Sequence, residues 1–419
     1  MIKKLGIIPL FKNLLYVQSI GQPRNRSKIR NNQSIASLFL FTTYIYILLL
    51  GATIGTPFIL NADQAFDSFI GEPAFDRQRL FDDQRYPNIV VTNKGTVIAV
   101  WGNSGVAIRR SEDGGKSWGD SIKISEKGYN GGGTIVDTTS GDILVFVEDR
   151  QPPAPLTVYR SKDDGKTWKP QDTYIKKDLN GNNPSMHMNE SGITLEFGPK
   201  KGRLLRATRF YGSNEKEAEW SKHYTNAMYS DDGGVNWKTS SPFPEKGTGE
   251  AALVELSDGR IYYNSRVHWP ERPNNRRRRE AWSDDGGETW KDWKIVEALP
   301  DGDQGRAYGC MAGMVRIPTK DRDIIIFSNL DTDASVREKV SVWASFDGGK
   351  TWPVKRLIDP DRSGYSSLSV GRHGTPSQGW IYLHYEHDPF KGSHVARFNL
   401  SWIAKGVLTG DGSLPDLAE

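Results

Sequence analysis

The sequence has a single cysteine, Cys310, and few long apolar stretches with the three-to-four-residue period of a helix. One cysteine excludes an intrachain disulfide, so the fold must depend on its hydrophobic core. The 43 glycines and 13 tryptophans, together with the scarcity of helical periodicity, favour short strands joined by tight turns. We therefore expect an all-β fold.

Acidic residues are absent from the first 62 positions, which hold seven Lys or Arg. Because the whole chain has a formal charge of +4, the remainder carries a charge of −3. A mildly acidic body argues against a general nucleic-acid-binding protein. We expect no nucleic-acid partner.

The basic head leads into an uncharged apolar stretch at residues 35–60. A positive segment followed by an apolar core is typical of an export signal. The stretch is also long enough to span a bilayer as a retained N-terminal anchor. We favour a cleaved signal over the anchor, and either one predicts an exported protein that is periplasmic, extracellular or membrane-anchored. The domain prediction is a head at 1–62, a folded body at 63–409 and a tail at 410–419.

One eight-residue pattern, Ser-x-Asp-x-Gly-x-x-Trp, occurs five times. Its aspartates are Asp113, Asp163, Asp232, Asp285 and Asp347. Each copy follows a β-rich run that is itself preceded by a strand-like stretch, so one unit corresponds to about four short strands, as in a propeller blade. Ser and Asp side chains can hydrogen-bond the turn backbone, Gly can supply a positive φ, and Trp can pack against the next unit. We interpret the repeats as structural rather than as calcium sites, because no further carboxylate recurs at ligand spacing.

The repeats resemble the Asp boxes of the sialidase (neuraminidase) superfamily, and the resemblance extends from about Arg85 to the sequence ARFNLSWI, Ala396–Ile403. It implies a six-bladed β-propeller in which the boxes mark five blades. The sixth blade would come from residues 364–386 and 394–402, closed by a strand from the segment before Arg85. The resemblance also implies a glycan substrate and a reaction that uses no metal or other cofactor.

Three arginines match the positions at which this family binds the carboxylate of its substrate. Arg85 lies in QRYPNIVV, which resembles the Arg-x-Pro signature of the first blade. Arg266 ends an Asn-Ser-Arg sequence of the fourth blade, and Arg337 lies in the region where the third arginine is expected. A guanidinium suits this task because its planar fork forms paired hydrogen bonds with a carboxylate.

Tyr365, in SGYSSL, resembles the family's nucleophilic tyrosine, and Glu250, in GEAALVE, resembles the glutamate that activates it. A carboxylate nucleophile would be repelled by an anionic sugar, whereas a phenol approaches it uncharged. Glu386, in HYEHD, is expected to support an arginine rather than to act as a catalyst.

The family's acid/base aspartate is missing from its usual loop, which is reduced here to WGNSGV, Trp101–Val106. Loss of a general acid typically lowers the rate by about 10² to 10⁴-fold, so either another group replaces it or the substrate needs less acid catalysis. Asp82 and Asp83 precede Arg85 on the same rim. Asp149 ends a predicted second-blade strand. His187, in NPSMHMNESG, titrates near neutral pH when unperturbed.

Two further features concern surface and pocket contacts. The run NNRRRRE at residues 274–280 is expected to be a solvated loop between strands. Trp220 and Trp269 lie in polar, aromatic loops and could stack on a sugar, although core packing is the favoured alternative.

These patterns together predict an exo-acting sialidase-type glycoside hydrolase. One alternative is a hydrolase directed at a different anionic sugar. The three arginines that would bind the carboxylate are present, whereas the loop that would carry the acid for the leaving group has changed. Another is a non-catalytic glycan-binding propeller. The joint presence of Tyr365 and Glu250 favours an enzyme, because a lectin does not need an activated tyrosine.

Overall fold

The computed structural model describes residues 66–211, 221–269, 276–305, 309–319, 322–388 and 391–417. The predicted signal or anchor, the start of the folded body and Trp220 lie outside these residues. In the ranges given, no helix has the length and apolar character needed to cross a bilayer.

The fold is all-β, and its strands form a propeller arrangement. In chain order the elements are β1 (Phe75–Phe81), β2 (Asn88–Val91), β3 (Val97–Trp101), β4 (Val106–Ser111), β5 (Ile122–Ser125), β6 (Tyr129–Asn130), β7 (Ile135–Val136), β8 (Ile143–Glu148), β9 (Leu156–Ser161), β10 (Lys169–Gln171), β11 (Tyr174–Ile175), β12 (Ile193–Thr194), β13 (Leu204–Phe210), β14 (Tyr224–Ser230), β15 (Asn236–Thr239), β16 (Thr248–Glu255), β17 (Ile261–Val267), β18 (Arg278–Ser283), β19 (Lys291–Val296), β20 (Gly313–Arg316), β21 (Ile325–Leu330), β22 (Glu338–Ser345), β23 (Val354–Val370), β24 (Ile381–His387), β25 (Ser393–Phe398), the helix α1 (Leu400–Ala404) and β26 (Val407–Leu408).

Four sheets of blade size are separate from one another. They contain β2 to β5, then β6 to β10, then β11 to β15, and finally β16 to β19. The paired strands in each of them are antiparallel, apart from the short parallel pair between β11 and β15, and most are hairpins of consecutive strands; β6 and β7 both pair with β8. This hairpin arrangement is the blade that the repeated unit of about four strands predicts.

The fifth sheet has eight strands, ordered β1-β25-β24-β23-β22-β21-β20, with β26 beside β23. Strand β23 is 17 residues long; its first part pairs with β22 and its second part with β24. Strand β1 pairs with β25, as predicted for a closing strand from before Arg85. The described residues thus form four separate blades and one double-width sheet, rather than six separate blades.

Apolar side chains fill the spaces between successive sheets. Val90 and Val145 belong to a cluster between the first and second sheets. Ile89 packs with Tyr382 in a cluster that joins the first sheet to strands β24 and β25. Burial of such a side chain contributes about 1.5–3 kcal/mol, so the second cluster stabilises the contact between the first sheet and these late strands and closes the ring.

The five Asp boxes fold as self-contained turns. In the first, Asp113 Oδ1 accepts the N–H of Ser117 at 3.0 Å, and Ser111 Oγ accepts the N–H of Gly115 at 2.8 Å. Gly115 has a φ of 82°, which a glycine adopts without strain. The box tryptophans Trp237, Trp290 and Trp352 are buried, and Trp118 and Trp168 are partly buried. The boxes are structural, as the sequence predicts.

The prediction of a solvated arginine loop is wrong for the part of the run that lies in β18. Arg278 is fully buried and donates from Nε to Asn264 Oδ1 at 2.7 Å. Arg279 is also buried and pairs with Glu245 at 2.6 Å. Strand β18 lies between β17 and β19, so these side chains are enclosed and need internal acceptors.

Candidate active site

Arg85 lies in the segment that leads into β2, and the next residue, Tyr86, has a φ of 78°. Positive φ is uncommon outside glycine, and such strained positions concentrate at functional sites. Arg85 donates from Nε and Nη2 to the two carboxylate oxygens of Glu386, at 2.8 and 2.9 Å. The buried Glu386 also accepts the N–H of Tyr365 at 3.1 Å. Glu386 therefore supports an arginine, as expected, and connects Arg85 to Tyr365.

Tyr365 donates a hydrogen bond of 2.8 Å from its hydroxyl to Glu250 Oε1. The two residues belong to different sheets, on β23 and β16. The pairing of β16 with β17 changes register around Glu250, and that of β23 with β24 changes register around Tyr365. Such bulges redirect side chains out of regular alternation, which accounts for how both groups reach one point.

A glycine precedes each member of this pair. A Cβ at Gly364 would overlap with Glu386 Oε2, and a Cβ at Gly249 would overlap with His268 Nδ1. Neither glycine has a positive φ, so the requirement is for space rather than for a special backbone conformation. The bare backbone lets polar side chains pack directly against the strands that carry Tyr365 and Glu250.

The other two predicted arginines lie beside the same pair. Arg266 donates from Nη1 to Glu250 Oε2 at 2.7 Å, so both oxygens of Glu250 are engaged. The guanidinium carbon of Arg337 lies 5.2 Å from the centre of the Tyr365 ring, and that of Arg85 lies 4.9 Å from it. The structure thus gathers the five principal site residues predicted from the sequence.

Electrostatics keep Glu250 ionised. Burial alone would raise its pKa, but the positive charge of Arg266 and the contact with His268 hold the pKa of Glu250 well below its usual range. Burial and the charge of Glu250 raise the pKa of Tyr365, while the neighbouring arginines oppose that rise. The unliganded site therefore holds a neutral phenol hydrogen-bonded to a carboxylate that can accept its proton.

The shortened loop after β3 folds back onto the segment before Arg85. The side-chain oxygen of Gln84 accepts the N–H groups of Asn103 and Ser104, at 3.0 and 2.9 Å. The indole N–H of Trp101 donates to the carbonyl of Asp83 at 3.0 Å. The loop is closed by these bonds and brings no acid to the site.

Three of the predicted substitute acids have, within the described residues, no hydrogen bond or ion pair that connects them with the site. Asp82 and Asp83 are exposed, and Asp149 is partly buried just beyond β8. In the described part of the chain, no hydrogen bond or ion pair connects these three carboxylates with Tyr365 or Glu250.

His187, the fourth candidate acid, lies against the site in the segment between β11 and β12. It is 6% exposed, and its ring centre is 5.8 Å from that of Tyr86 and 5.5 Å from that of Tyr211. Burial, together with the charge of Arg209, lowers the pKa of His187 to about 3. Its imidazole is therefore neutral at neutral pH in the unliganded protein.

Arg209, at the end of β13, is a site residue that sequence reasoning missed. It is 1% exposed, and its Nε and Nη2 are buried without hydrogen-bond partners. Its guanidinium carbon lies 4.4 Å from the centre of the Tyr211 ring. Burial lowers the pKa of Arg209, whereas the nearby Glu250 raises it. The sequence signal that points to Arg209 is its place in the strand-like stretch GRLLRATRF, which also contains Arg206.

Glu148, the last residue of β8, was also missed. It is 2% exposed, and its Oε2 lies 3.9 Å from His187 Nδ1. Sequence reasoning chose its neighbour Asp149, because alternation along a strand does not show which side chain faces the propeller axis when both faces are buried.

Trp269 and His268 extend the site along its other edge. Their rings stack with centres 4.8 Å apart, and His268 Nε2 lies 3.7 Å from Glu250 Oε1. Trp269 is partly buried, so it combines packing on His268 with an accessible face. Over the described ranges, no cluster of three or more His, Cys, Asp or Glu residues is arranged to hold a metal ion.

Residues 176–377 match the model of a BNR repeat-like domain. The chain is 29% identical over 397 residues to a sialidase of Micromonospora viridifaciens, covering 83% of this chain and 57% of that protein. It is 29% identical over 337 residues to a sialidase of Bacteroides fragilis, covering 68% of this chain and 57% of that one. The chain thus spans somewhat over half the length of both relatives.

Among solved structures, the chain is similar to the Hadza microbial sialidase Hz136, with a TM-score of 0.60 and 23% identity over 77% of this chain and 66% of that one. It is also similar to the intramolecular trans-sialidase from Ruminococcus gnavus, with a TM-score of 0.56 and 15% identity over 77% of this chain and 95% of that one. At these identities the likeness supports a shared propeller fold.

Proposed function

We propose that the chain, which is similar to bacterial-type sialidases with BNR repeats, is an exo-acting glycoside hydrolase. It would release a terminal sialic acid, or a related acidic sugar, from glycans. The observation that carries the proposal is the 2.8 Å hydrogen bond from Tyr365 to the ionised Glu250, with Arg85, Arg266 and Arg337 around it. A protein that only binds glycans does not need a tyrosine hydroxyl that is hydrogen-bonded to a base.

The arginines would bind the carboxylate of the sugar. Arg85 and Arg266 are each fixed in place by a buried glutamate, so their orientation needs little reorganisation when the substrate binds. Arg266 Nε is buried without a hydrogen-bond partner and is one donor that an incoming carboxylate would satisfy. Arg337 lies beside the Tyr365 ring and would supply the third guanidinium.

Tyr365 would attack the anomeric carbon through its hydroxyl oxygen while its proton passes to Glu250 Oε1. The bond from the anomeric carbon to the leaving oxygen breaks with its electron pair, and that oxygen takes a proton from a general acid. Water then cleaves the bond between Tyr365 and the sugar, and the proton on Glu250 returns to the phenol oxygen. Two displacements at one carbon predict retention of its configuration.

His187 is the general acid/base that the geometry supports best among the predicted candidates. Its ring lies beside Tyr86, which in turn stacks on Tyr365 with ring centres 6.1 Å apart. A sugar lying over Tyr86 would contact both His187 and the nucleophile. Asp82, Asp83 and Asp149 lack such a connection, and we do not propose them as the acid.

The double-width sheet is proposed to be two blades that share β23, which gives the six blades that the family resemblance implies. The cluster that includes Val342, Ile381 and Leu383 lies between its two halves and resembles those between the separate blades. Export of the protein remains our proposal from the basic and apolar composition of residues 1–62. Fractionation of cells that express the full chain would test it.

A second candidate substrate class is favoured by Arg209. Its buried guanidinium has unsatisfied donors, and both oxygens of the nearby Glu250 are already taken by Tyr365 and Arg266. A buried charge is costly unless it is paired. A sugar that carries a second acidic group besides its carboxylate would supply the missing partner, and the enzyme would then be a hydrolase of that dianionic sugar.

The proposed function is tested by release of sugar from an aryl α-sialoside. An aryl leaving group needs little protonation, so the test does not depend on the identity of the acid. We expect the full-length protein to turn over, and Tyr365→Phe and Arg266→Ala to lose at least about 10³-fold in kcat/KM. Tyr263→Phe is the matched control, because it removes a buried hydroxyl that donates to the carbonyl of Asn226.

Absence of release by folded wild-type protein would reject sialic acid as the substrate. A panel of sulfated and uronic acid glycosides would then separate a hydrolase of another anionic sugar from a propeller that only binds glycans. Binding without turnover across the panel would reject the enzyme.

A further inference from the structure

Strands of all five sheets line a cavity of about 150 Å³. Each of the strands β2, β7, β12, β16, β20 and β23 contributes apolar side chains to its walls, among them Val91, Val136, Ile193, Val254, Met314 and Leu368. Because every sheet takes part, the cavity lies on the axis of the propeller, and we call it the axial cavity.

We propose that the axial cavity is a second ligand site, which binds a small molecule that carries one carboxylate on an apolar body. Arg372 would bind the carboxylate, and the apolar walls would enclose the rest of the molecule. The proposal goes beyond the proposed function and does not rest on it, because binding in this cavity requires no turnover.

The axial cavity and the candidate active site lie at opposite ends of the same strands. Glu250 is near the start of β16 and belongs to the active site, whereas Glu255 is the last residue of β16 and lines the cavity. A strand rises about 3.3 Å per residue, so these two positions are roughly 15 Å apart. Ser367, which precedes the cavity-lining Leu368 in β23, donates from Oγ to the buried Glu190 Oε1 at 2.6 Å. This polar contact separates the cavity from the active site.

Four charged side chains of the described residues line the axial cavity, and three of them are paired or hydrated. Arg316 pairs with Asp323 at 2.7 Å. Glu255 accepts two backbone N–H groups, at 2.5 and 3.2 Å, and Glu196 is exposed to solvent. These three groups do not need a ligand.

Arg372 is the fourth charged side chain, and it is incompletely paired. Its Nε donates to the carbonyl of Val91 at 3.4 Å, which is longer than the usual N–H···O distance of about 2.7–3.2 Å. Within the described ranges, its two terminal nitrogens have no hydrogen bond or ion pair. Burial lowers the pKa of Arg372, although the charge of Glu196 opposes this effect. A cation that is largely removed from water is costly unless an anion pairs with it, so the cavity favours a negatively charged ligand.

The walls of the axial cavity favour a ligand with an apolar body over a bare anion. An apolar cavity of about 150 Å³ holds a molecule of the size of benzene. A guanidinium binds a carboxylate through two parallel hydrogen bonds. Benzoate combines these two features and is therefore the probe that fits the site. Acetate lacks the apolar body, and benzamide lacks the charge.

Titration of the full chain with benzoate tests the proposal, with the dissociation constant measured by ligand-observed NMR. We expect the dissociation constant of benzoate to be at least about tenfold lower than those of benzamide and acetate. In Arg372→Gln, benzoate should bind no more tightly than benzamide. The proposal is overturned if benzoate binds the wild type no more tightly than either analogue, or binds Arg372→Gln as it binds the wild type.

The active-site arginines are a competing site for benzoate, so the titration is repeated with Arg266→Ala. This variant should keep the affinity of the axial cavity for benzoate, because Arg266 lies beside Glu250 at the other end of β16. Loss of binding in Arg266→Ala but not in Arg372→Gln would place benzoate in the active site and reject the proposal. Arg260→Gln is the matched control, since Arg260 pairs with Asp258 at 2.7 Å outside the cavity. An equal loss in this control would assign the effect to overall charge and also reject the proposal.

A second readout requires no variant of Arg372. Met314 lines the axial cavity, whereas Met311 packs in the same core cluster as Tyr365. In the wild type with ¹³C-labelled methionine methyl groups, saturating benzoate should shift the Met314 signal and leave the Met311 signal nearly unchanged. A shift at Met311 alone, or at neither methyl, would overturn the proposal. Because no substrate is used, a protein that binds benzoate but turns over no glycoside would reject only the proposed function.

Discussion

Tyr365 and Glu250 are hydrogen-bonded at 2.8 Å although 115 positions separate them in the chain. Each follows a glycine, and each lies where the strand pairing changes register. The pair is therefore produced by local irregularities in two sheets that the ring brings together. Its geometry depends on the packing of Gly364 and Gly249 as much as on the reacting groups themselves.

Gly364→Ala should disrupt the site. The new Cβ would overlap with Glu386 Oε2 and displace the carboxylate that holds Arg85 and the N–H of Tyr365. We expect a loss of about 1–3 kcal/mol in the free energy of unfolding, with a rise in KM. Chemical denaturation and steady-state kinetics measure the two effects. Gly71→Ala, where a Cβ would meet nothing within 4 Å, is the control and should be neutral.

The Asp boxes should contribute stability that depends on pH but not on calcium. Hydrogen bonds from Thr167 and Ser161 outweigh the effect of burial and lower the pKa of Asp163 to about 2. A lowered folded-state pKa stabilises the fold above the unfolded-state value near 4, and this contribution is lost as pH falls through about 2.

The denaturation midpoint of Asp163→Asn should therefore lie below that of the wild type at pH 7, with the gap shrinking from pH 4 towards pH 2. The exposed Asp120→Asn should show no gap. A chelator should leave all midpoints unchanged. A chelator-sensitive midpoint would contradict the structural interpretation of the boxes.

Arg209→Met should weaken binding of one class of substrate without lowering the stability of the protein. Removing a buried charge that lacks hydrogen-bond partners should leave the free energy of unfolding unchanged or raise it. KM should rise at least about tenfold for sialosides that carry a second acidic group, if Arg209 binds that group. Unchanged kinetics on such substrates would exclude a dianionic sugar.

Arg206→Met is the companion variant for this comparison. Arg206 is equally buried, but it donates from Nη2 to the carbonyl of Gly132 at 2.8 Å. Its loss should cost about 1–3 kcal/mol, because it leaves a buried carbonyl unsatisfied. Equal stability changes in the two variants would contradict the distinction drawn between these arginines.

Arg337→Lys should weaken binding of the sugar carboxylate. An ammonium keeps the charge but loses the planar fork that forms paired hydrogen bonds. We expect KM for the aryl α-sialoside to rise by about 10 to 100-fold with a smaller change in kcat. Arg260→Lys, at an exposed turn where the arginine pairs with Asp258, should leave both parameters unchanged.

Motifs made much of the site predictable. Arg85, Glu250, Arg266 and Tyr365 each lie in a short sequence that resembles a family signature, and the structure brings them together with Arg337. The repeats likewise predicted hairpin blades and the structural role of the boxes. These features are local in sequence, so they can be recognised from composition and residue spacing alone.

The features that sequence reasoning missed depend on long-range packing. Glu148 and Arg209 are single charged residues in buried strands, and no pattern marks the one whose side chain reaches the site. Arg278 and Arg279 were predicted to lie in a solvated loop. They lie instead in β18, which is enclosed between two strands, and they pair with Asn264 and Glu245. In each case, the environment is created by a sheet whose neighbours lie far away in the chain.

The role of Tyr365 is tested most directly by trapping. A fluorinated sialosyl fluoride carries a good leaving group, so it needs little acid catalysis, while the ring fluorine slows hydrolysis of the intermediate. Peptide mass spectrometry of the treated full-length protein should locate the added sugar mass on Tyr365, and the adduct should be absent in Tyr365→Phe. An adduct on Glu250, or turnover without any adduct, would contradict a tyrosine nucleophile.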